Sequence, residues 1–222
     1  MNKIFSITID GPAGAGKSTI AKIVAKKLGI EYVDTGAMYR AITWFMMNKG
    51  VDLKDKERII RELKNIKIDY ENGKVFINGI DTSKYIRKEE VSEKTSFIAS
   101  IPEVREFLRN FQREISKNKS VVMEGRDIGS VVLPDAEFKF YLDASVDERA
   151  KRRYLELKKK GENVSFEDVK KSIIERDKKD TSRGLCPLVI PEGAIIIDST
   201  DKSIEEVAKI IIDAVLNRKD TI

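Results

Sequence analysis

Apolar and polar positions follow two rhythms along this chain, one of period two and one near 3.6, taken in turn from end to end. Ile4, Phe5, Ile7 and Ile9 suit a buried strand, and Ile20, Ile23, Val24 and Leu28 then recur at helical spacing up to Gly29, a natural C-terminal stop. Residues 31–34 read as a short strand. Thr35-Gly36 opens a turn into a helix over about 37–48, ended near Gly50, with Met38, Ala41, Ile42, Phe45 and Met46 on one face. A further amphipathic helix covers about 54–64. Two alternating runs, 66–70 and 74–77, are joined by Glu71-Asn72-Gly73 and followed by Asn78-Gly79, which predicts a small antiparallel sheet inserted into an α/β pattern. Helical spacing resumes over 89–100 and 102–116. Strands are expected at 120–123, 137–142 and 194–197, and helices at 147–160, 165–178 and 203–216; Ser165-x-x-Asp168 and Ser203-x-x-Glu206 have the form of capping boxes.

Between the first strand and its helix lies Gly11-Pro12-Ala13-Gly14-Ala15-Gly16-Lys17-Ser18, followed by Thr19, which fits G-x-x-x-x-G-K-[ST] in full. The glycines let successive backbone N–H groups point inward, and the helix adds its partial positive charge, so the loop makes a nest for a polyphosphate. Lys17 supplies a point charge for the β- and γ-phosphates and Ser18 a hydroxyl for Mg²⁺. Tyr39 and Arg40 stand at a helix start, where an N-terminus and a guanidinium can jointly hold an anion. Glu124-Gly125-Arg126-Asp127 falls at the C-terminal end of a strand, the place where open α/β sheets collect ligands.

Composition narrows the classes. The 222 residues are 41% hydrophobic and 36% charged, which suits one α/β domain and excludes a disordered chain. The net charge of +5 is mild, but 149–183 holds 13 Lys/Arg against 7 Asp/Glu, a local +6, read as either an anion-handling segment or a solvated face. A single cysteine, Cys186, and no histidine exclude an internal disulfide framework, cysteine metal clusters, histidine triads and histidine zinc sites. With no apolar run near the roughly 18 residues of a membrane span and no signal-like preamble, a cytoplasmic protein is expected. A GTPase would carry Asn-Lys-x-Asp, whereas Asn118-Lys119-Ser120-Val121 lacks the Asp; a motor ATPase would end an apolar strand in adjacent acids, whereas Glu124 precedes Gly125. A small kinase leads. A kinase of another small acceptor, or a nucleic-acid-binding NTPase using the basic segment, remains open at this point.

Gly11 to Ser18, Asp34-Thr35-Gly36-Ala37-Met38-Tyr39-Arg40, Gly125-Arg126-Asp127-Ile128-Gly129, Val131-Val132-Leu133-Pro134-Asp135-Ala136, Arg149-Ala150-x-Arg152-Arg153 and Arg176-Asp177-x-x-Asp180 with Arg183 together closely resemble the bacterial cytidylate kinases, over nearly the whole chain. The resemblance implies a P-loop nucleoside monophosphate kinase: a parallel five-stranded core sheet with helices on both faces, the small antiparallel sheet in the acceptor-binding part, and a helical, arginine-rich lid. It divides the single domain 1–222 into a core (1–35, 117–147, 186–222), an acceptor-binding part (36–116) and a lid (148–185). It also implies phosphoryl transfer from ATP, with Mg²⁺, to CMP or dCMP, by a monomer without nucleic-acid or membrane partners. By the same resemblance Gly11 to Thr19 bind ATP, Lys17 acts on the transferring group and Ser18 on the metal. Arg40 and Arg126 grip the CMP phosphate, Ser96, Arg105 and Asp127 take the cytosine, Asp180 the sugar, and Thr35 and Tyr39 line the pocket. Arg152, Arg176 and Arg183 close over the phosphates, with Arg153 and Lys179 as weaker lid candidates; a solvated charge is the alternative for each surface-helix arginine, more so for Arg149 than for Arg152. Glu124 stands where the family pattern has Asp.

Overall fold

Strand β1 (Ser6–Asp10) lies in the middle of the molecule because one of its faces is apolar and the other carries polar groups with work to do. The computed structural model describes residues 4–182, 184 and 186–219, the side chains of 218 and 219 apart. The chain runs through α1 (Lys17–Leu28), β2 (Glu31–Asp34), α2 (Thr35–Asn48), α3 (Lys56–Leu63), β3 (Ile68–Glu71), β4 (Lys74–Ile77), β5 (Ile80–Asp81), α4 (Glu89–Ile98) and α5 (Pro102–Lys117). It continues through β6 (Val121–Gly125), β7 (Phe138–Asp143), α6 (Val146–Lys159), α7 (Phe166–Thr181), β8 (Ile195–Asp198) and α8 (Ile204–Lys219). Five parallel strands form one sheet in the order β2-β6-β1-β7-β8, and β3-β4-β5 form a separate antiparallel sheet.

Alternation along the strands sorts side chains into two cores. Val121 and Met123 pack with Val33, Met38, Ile42, Leu108 and the inserted sheet's Val75 and Ile77, while Val122, between them, faces Ile7, Ile9, Ile20, Val24, Phe140 and the α8 residues Val207 and Ile211. A third, small core of Ala150, Leu157, Val169 and Ile173 joins α6 to α7.

The turn chemistry agrees with the sequence. Asn72 and Gly73, then Asn78 and Gly79, all have positive φ (51°, 77°, 51° and 80°), the backbone a two-residue hairpin needs. Ser203 and Glu206 cap each other's N–H groups (3.2 and 2.7 Å), and Ser165 accepts from Asp168 N at 3.1 Å. Beyond the expected elements the structure adds β5 and a π-helical turn at Ile128–Val132. That turn is set from far away in sequence: the Asp10 carboxylate accepts from Ile128 N (2.8 Å) and Gly129 N (2.7 Å), and a Cβ at Gly129 would stand 2.7 Å from Thr8 Oγ1. The Thr8 and Asp10 face of β1 is thereby occupied.

Candidate active site

Gly11 to Gly16 leave the carboxyl end of β1 and feed directly into α1, whose first residue is Lys17. Gly11, Gly14 and Gly16 have φ of 146°, 80° and 91°, and a Cβ on Gly11 would sit 2.0 Å from the Leu142 carbonyl oxygen, so the loop's curl requires these glycines. Lys17 is folded back, its Nζ donating to the Pro12 carbonyl at 2.6 Å, and it is only 5% exposed. Burial, then the charges of Arg126 and Arg176, hold its ammonium down to about 7. Ser18 Oγ donates to Glu124 Oε1 at 2.6 Å, Tyr32 OH reaches the same oxygen at 3.4 Å, and Thr35 Oγ1 donates to the Glu124 carbonyl at 2.7 Å. Burial and the neighbouring Asp34 raise the Glu124 carboxyl.

This oxygen set fits a hard divalent cation beside the loop: a hydroxyl and a carboxylate oxygen already share one point in space. Among the described residues no group of three or more acidic or cysteine side chains could hold a metal alone.

Across the cleft, Asp34 caps α2 through Ala37 N (2.8 Å) and pairs with Arg40 (3.1 Å), which places that guanidinium at the helix start. Arg126, leaving β6, donates through Nε to Asp180 at 3.0 Å, bringing α7 to the end of the sheet. Arg176, on the same helix, has its guanidinium lowered to about 10 by burial and then by Arg126. Lys17, Arg126 and Arg176 thus form a cationic cluster in the cleft, the electrostatic arrangement a polyanion relieves.

Arg105 of α5 donates to Asp127 and, through Nη1, to the Ala99 carbonyl at 3.0 Å, and it lies over the Tyr39 ring. Tyr39, Arg105, Arg109, Asp127, Val131, Val132 and Cys186 line one small cavity. Ser96 is half-buried on α4 but makes no hydrogen bond to either member of the Arg105–Asp127 pair. Arg109 and Cys186 were not foreseen; the spacing of four from Arg105 on one helix was a usable signal for Arg109, and nothing in the sequence marks Cys186.

The basic segment departs from the solvated face. Arg149 is 4% exposed, bound to Ala144 O (2.9 Å), Ala13 O (3.1 Å) and the Asp177 carboxylate (2.7 Å). Arg152 pairs with Glu148 (2.9 Å), donates to Ser199 Oγ (3.1 Å) and O (2.6 Å), and reaches the phosphate loop through Nη1 to the Ala15 carbonyl at 3.5 Å. Arg153 bridges Glu89 (2.6 Å) and Glu156 (3.0 Å), and Lys179 is exposed. Arg183 lies outside the described residues.

A glycine-rich phosphate loop at the carboxyl end of the central strand of a five-stranded parallel sheet, with Arg126 and Arg176 near its lysine, has the form of a P-loop kinase site. The fold agrees: a gluconokinase from Sinorhizobium meliloti (TM-score 0.53, 13% identity, covering 98% of this chain and 95% of that one) and a shikimate kinase from Bacteroides thetaiotaomicron (0.51, 14%, 96% and 98%) share it. The family model of cytidylate kinase matches residues 7–217. The cytidylate kinase of Caldanaerobacter subterraneus subsp. tengcongensis is 52% identical over 221 residues (100% of this chain, 98% of the relative), and that of Thermosipho africanus 52% over 212 (96% and 95%). The chain belongs to the cytidylate kinase family.

Proposed function

We propose that this enzyme transfers the γ-phosphoryl group of ATP to CMP or dCMP, giving ADP and CDP or dCDP. The observation that carries the reading is the buried Arg105–Asp127 pair, which lines a small cavity and stands one residue from Arg126. A carboxylate and a guanidinium together complement the cytosine edge, whose N4 amino group donates and whose N3 and O2 accept. Phosphoryl transfer passes through a loose transition state with charge on the equatorial oxygens, so the protein's task is alignment and cationic surroundings. The acceptor is a phosphate oxygen ionised at neutral pH, so a chain without histidine lacks nothing.

In this reading Lys17 stabilises the transferring group within the nest of Gly11 to Thr19, Arg40 and Arg126 hold the acceptor phosphate, and Thr35 and Tyr39 line its pocket. Arg105, Asp127 and Ser96 take the base and Asp180 the sugar. Arg176 and Arg183 meet the phosphates from the lid, joined by Arg152 once it leaves Ser199. Ser18 beside Glu124 would hold the Mg²⁺ that arrives with ATP, which would supply charge neutralisation at the phosphate oxygens. We read the enzyme as a cytoplasmic monomer; no helix among the described residues is long and apolar enough to cross a membrane. The nucleic-acid reading is weakened because the lid cations Arg149, Arg152 and Arg153 are paired within the chain.

The test is ADP release with ATP and a panel of CMP, dCMP, UMP, AMP, shikimate and gluconate. CMP or dCMP should lead by at least about tenfold in kcat/KM. Preference for a non-nucleotide acceptor, or ATP hydrolysis stimulated by nucleic acid instead, would overturn the reading.

A further inference from the structure

Arg149 and Asp177 lie on different helices of the lid segment, in the first turn of α6 and the last turns of α7. The Arg149 guanidinium uses its whole fork: Nε to the Ala144 carbonyl ending β7, Nη1 to the Ala13 carbonyl in the phosphate loop, and Nη2 to Asp177. The contact with the loop is close, since a Cβ on Gly14 would stand 3.0 Å from Arg149 Cβ and 3.1 Å from its carbonyl oxygen. Asp177 in turn adjoins Arg176 and precedes by three residues Asp180, the partner of Arg126. One planar cation therefore connects the wall of the ATP nest to the stretch of α7 that reaches the acceptor pocket. Asp177 Oδ1 and Arg176 Nε are both buried without a hydrogen-bond partner, so this end of α7 is not fully satisfied.

We propose that the Arg149–Asp177 pair is a positioning element that couples the two nucleotide sites, so that filling the phosphate loop fixes α7 and raises acceptor affinity. Neither residue touches the reacting atoms. Their effect is a coupling between sites, and because such coupling is reciprocal it appears equally as acceptor-enhanced ATP affinity. Lysine at position 149 would keep the charge but lose the planar fork that reaches three oxygens at once. This inference rests on the CMP-kinase reading above.

The experiment measures the Kd of CMP with and without a saturating non-hydrolysable ATP analogue, for the wild type and for Asp177→Asn, Asp177→Ala and Arg149→Lys, with circular dichroism as the check on folding. The wild-type ratio should be at least about fivefold. In the folded variants it should fall toward one, while each ligand alone binds within about twofold of wild type and the KM for CMP at saturating ATP rises by about the factor lost. A folded Asp177→Asn with the wild-type ratio overturns the inference, as does a wild type with no coupling. So does loss of folding in all three variants, which would make the pair structural. A wild type that shows coupling but does not phosphorylate CMP overturns the functional reading instead.

Discussion

Lys17 is the residue on which charge and position meet most sharply. Its folded-state value of about 7 lies below the ordinary 10.5 because of burial first and the Arg126 and Arg176 charges next. A Lys lowered in this way leaves the unfolded chain holding more protons between those two values, so in the free enzyme this group's contribution to stability rises with pH across that window. Polyphosphate reverses the balance, since it favours the ammonium. ATP binding above neutral pH should therefore take up protons, and affinity should weaken as pH rises. Calorimetry in buffers of different ionisation enthalpy reads this directly, and a Lys17→Met protein should lose the uptake; buffer-independent heats in the wild type would contradict the assignment. Lys17 and Ser18 were legible because their spacing carries the chemistry. Arg149 was not: a basic residue on a lid helix looks the same in sequence whether solvated or locked under three oxygens, and only the return of α7 decides it.

Among the elements, α6 and α7 join each other through four buried apolar residues and join α4 through Arg153 to Glu89. Those side chains remain 28% and 39% exposed, so the ion pair contributes no more than about 1 kcal/mol. Glu89→Ala should accordingly speed amide exchange in α6 and α7 by up to about fivefold without ligand, with little change once both nucleotides are bound. Hydrogen exchange in which α6 and α7 are as protected in Glu89→Ala as in the wild type would show that the bridge does not hold the lid. Helix starts with Ser-x-x-Asp or Ser-x-x-Glu and hairpins with Asn-Gly could be read locally because their hydrogen bonds are local. The π-helical turn could not, since its donors answer to Asp10, 118 residues away from Ile128.

For the whole molecule, alternating strand and helix patterns conveyed the α/β class, and the six motif blocks conveyed the family. The sheet order was not readable from pattern alone, because β1 pairs with β6 and β7, whose residues are separated from it by more than half the chain. The small cavity has the same origin: α2 gives Tyr39, α5 gives Arg105 and Arg109, the turn after β6 gives Asp127, and Cys186 comes from beyond α7.

The claim that rests on this assembly is that Arg105 and Asp127 select cytosine. Uracil offers an acceptor where cytosine has its amino group and a donor where cytosine has N3, and each buried mismatch costs about 1–3 kcal/mol, so two mismatches of about 2 kcal/mol each give discrimination on the order of 10³-fold. The most direct measurement is kcat/KM for CMP over UMP in the wild type and in Asp127→Asn. The amide keeps the side-chain volume and can still accept from Arg105, whereas alanine would strand a buried cation. A ratio that falls by at least about tenfold in a folded Asp127→Asn protein, chiefly through loss on CMP, is the predicted result; an unchanged ratio would contradict it.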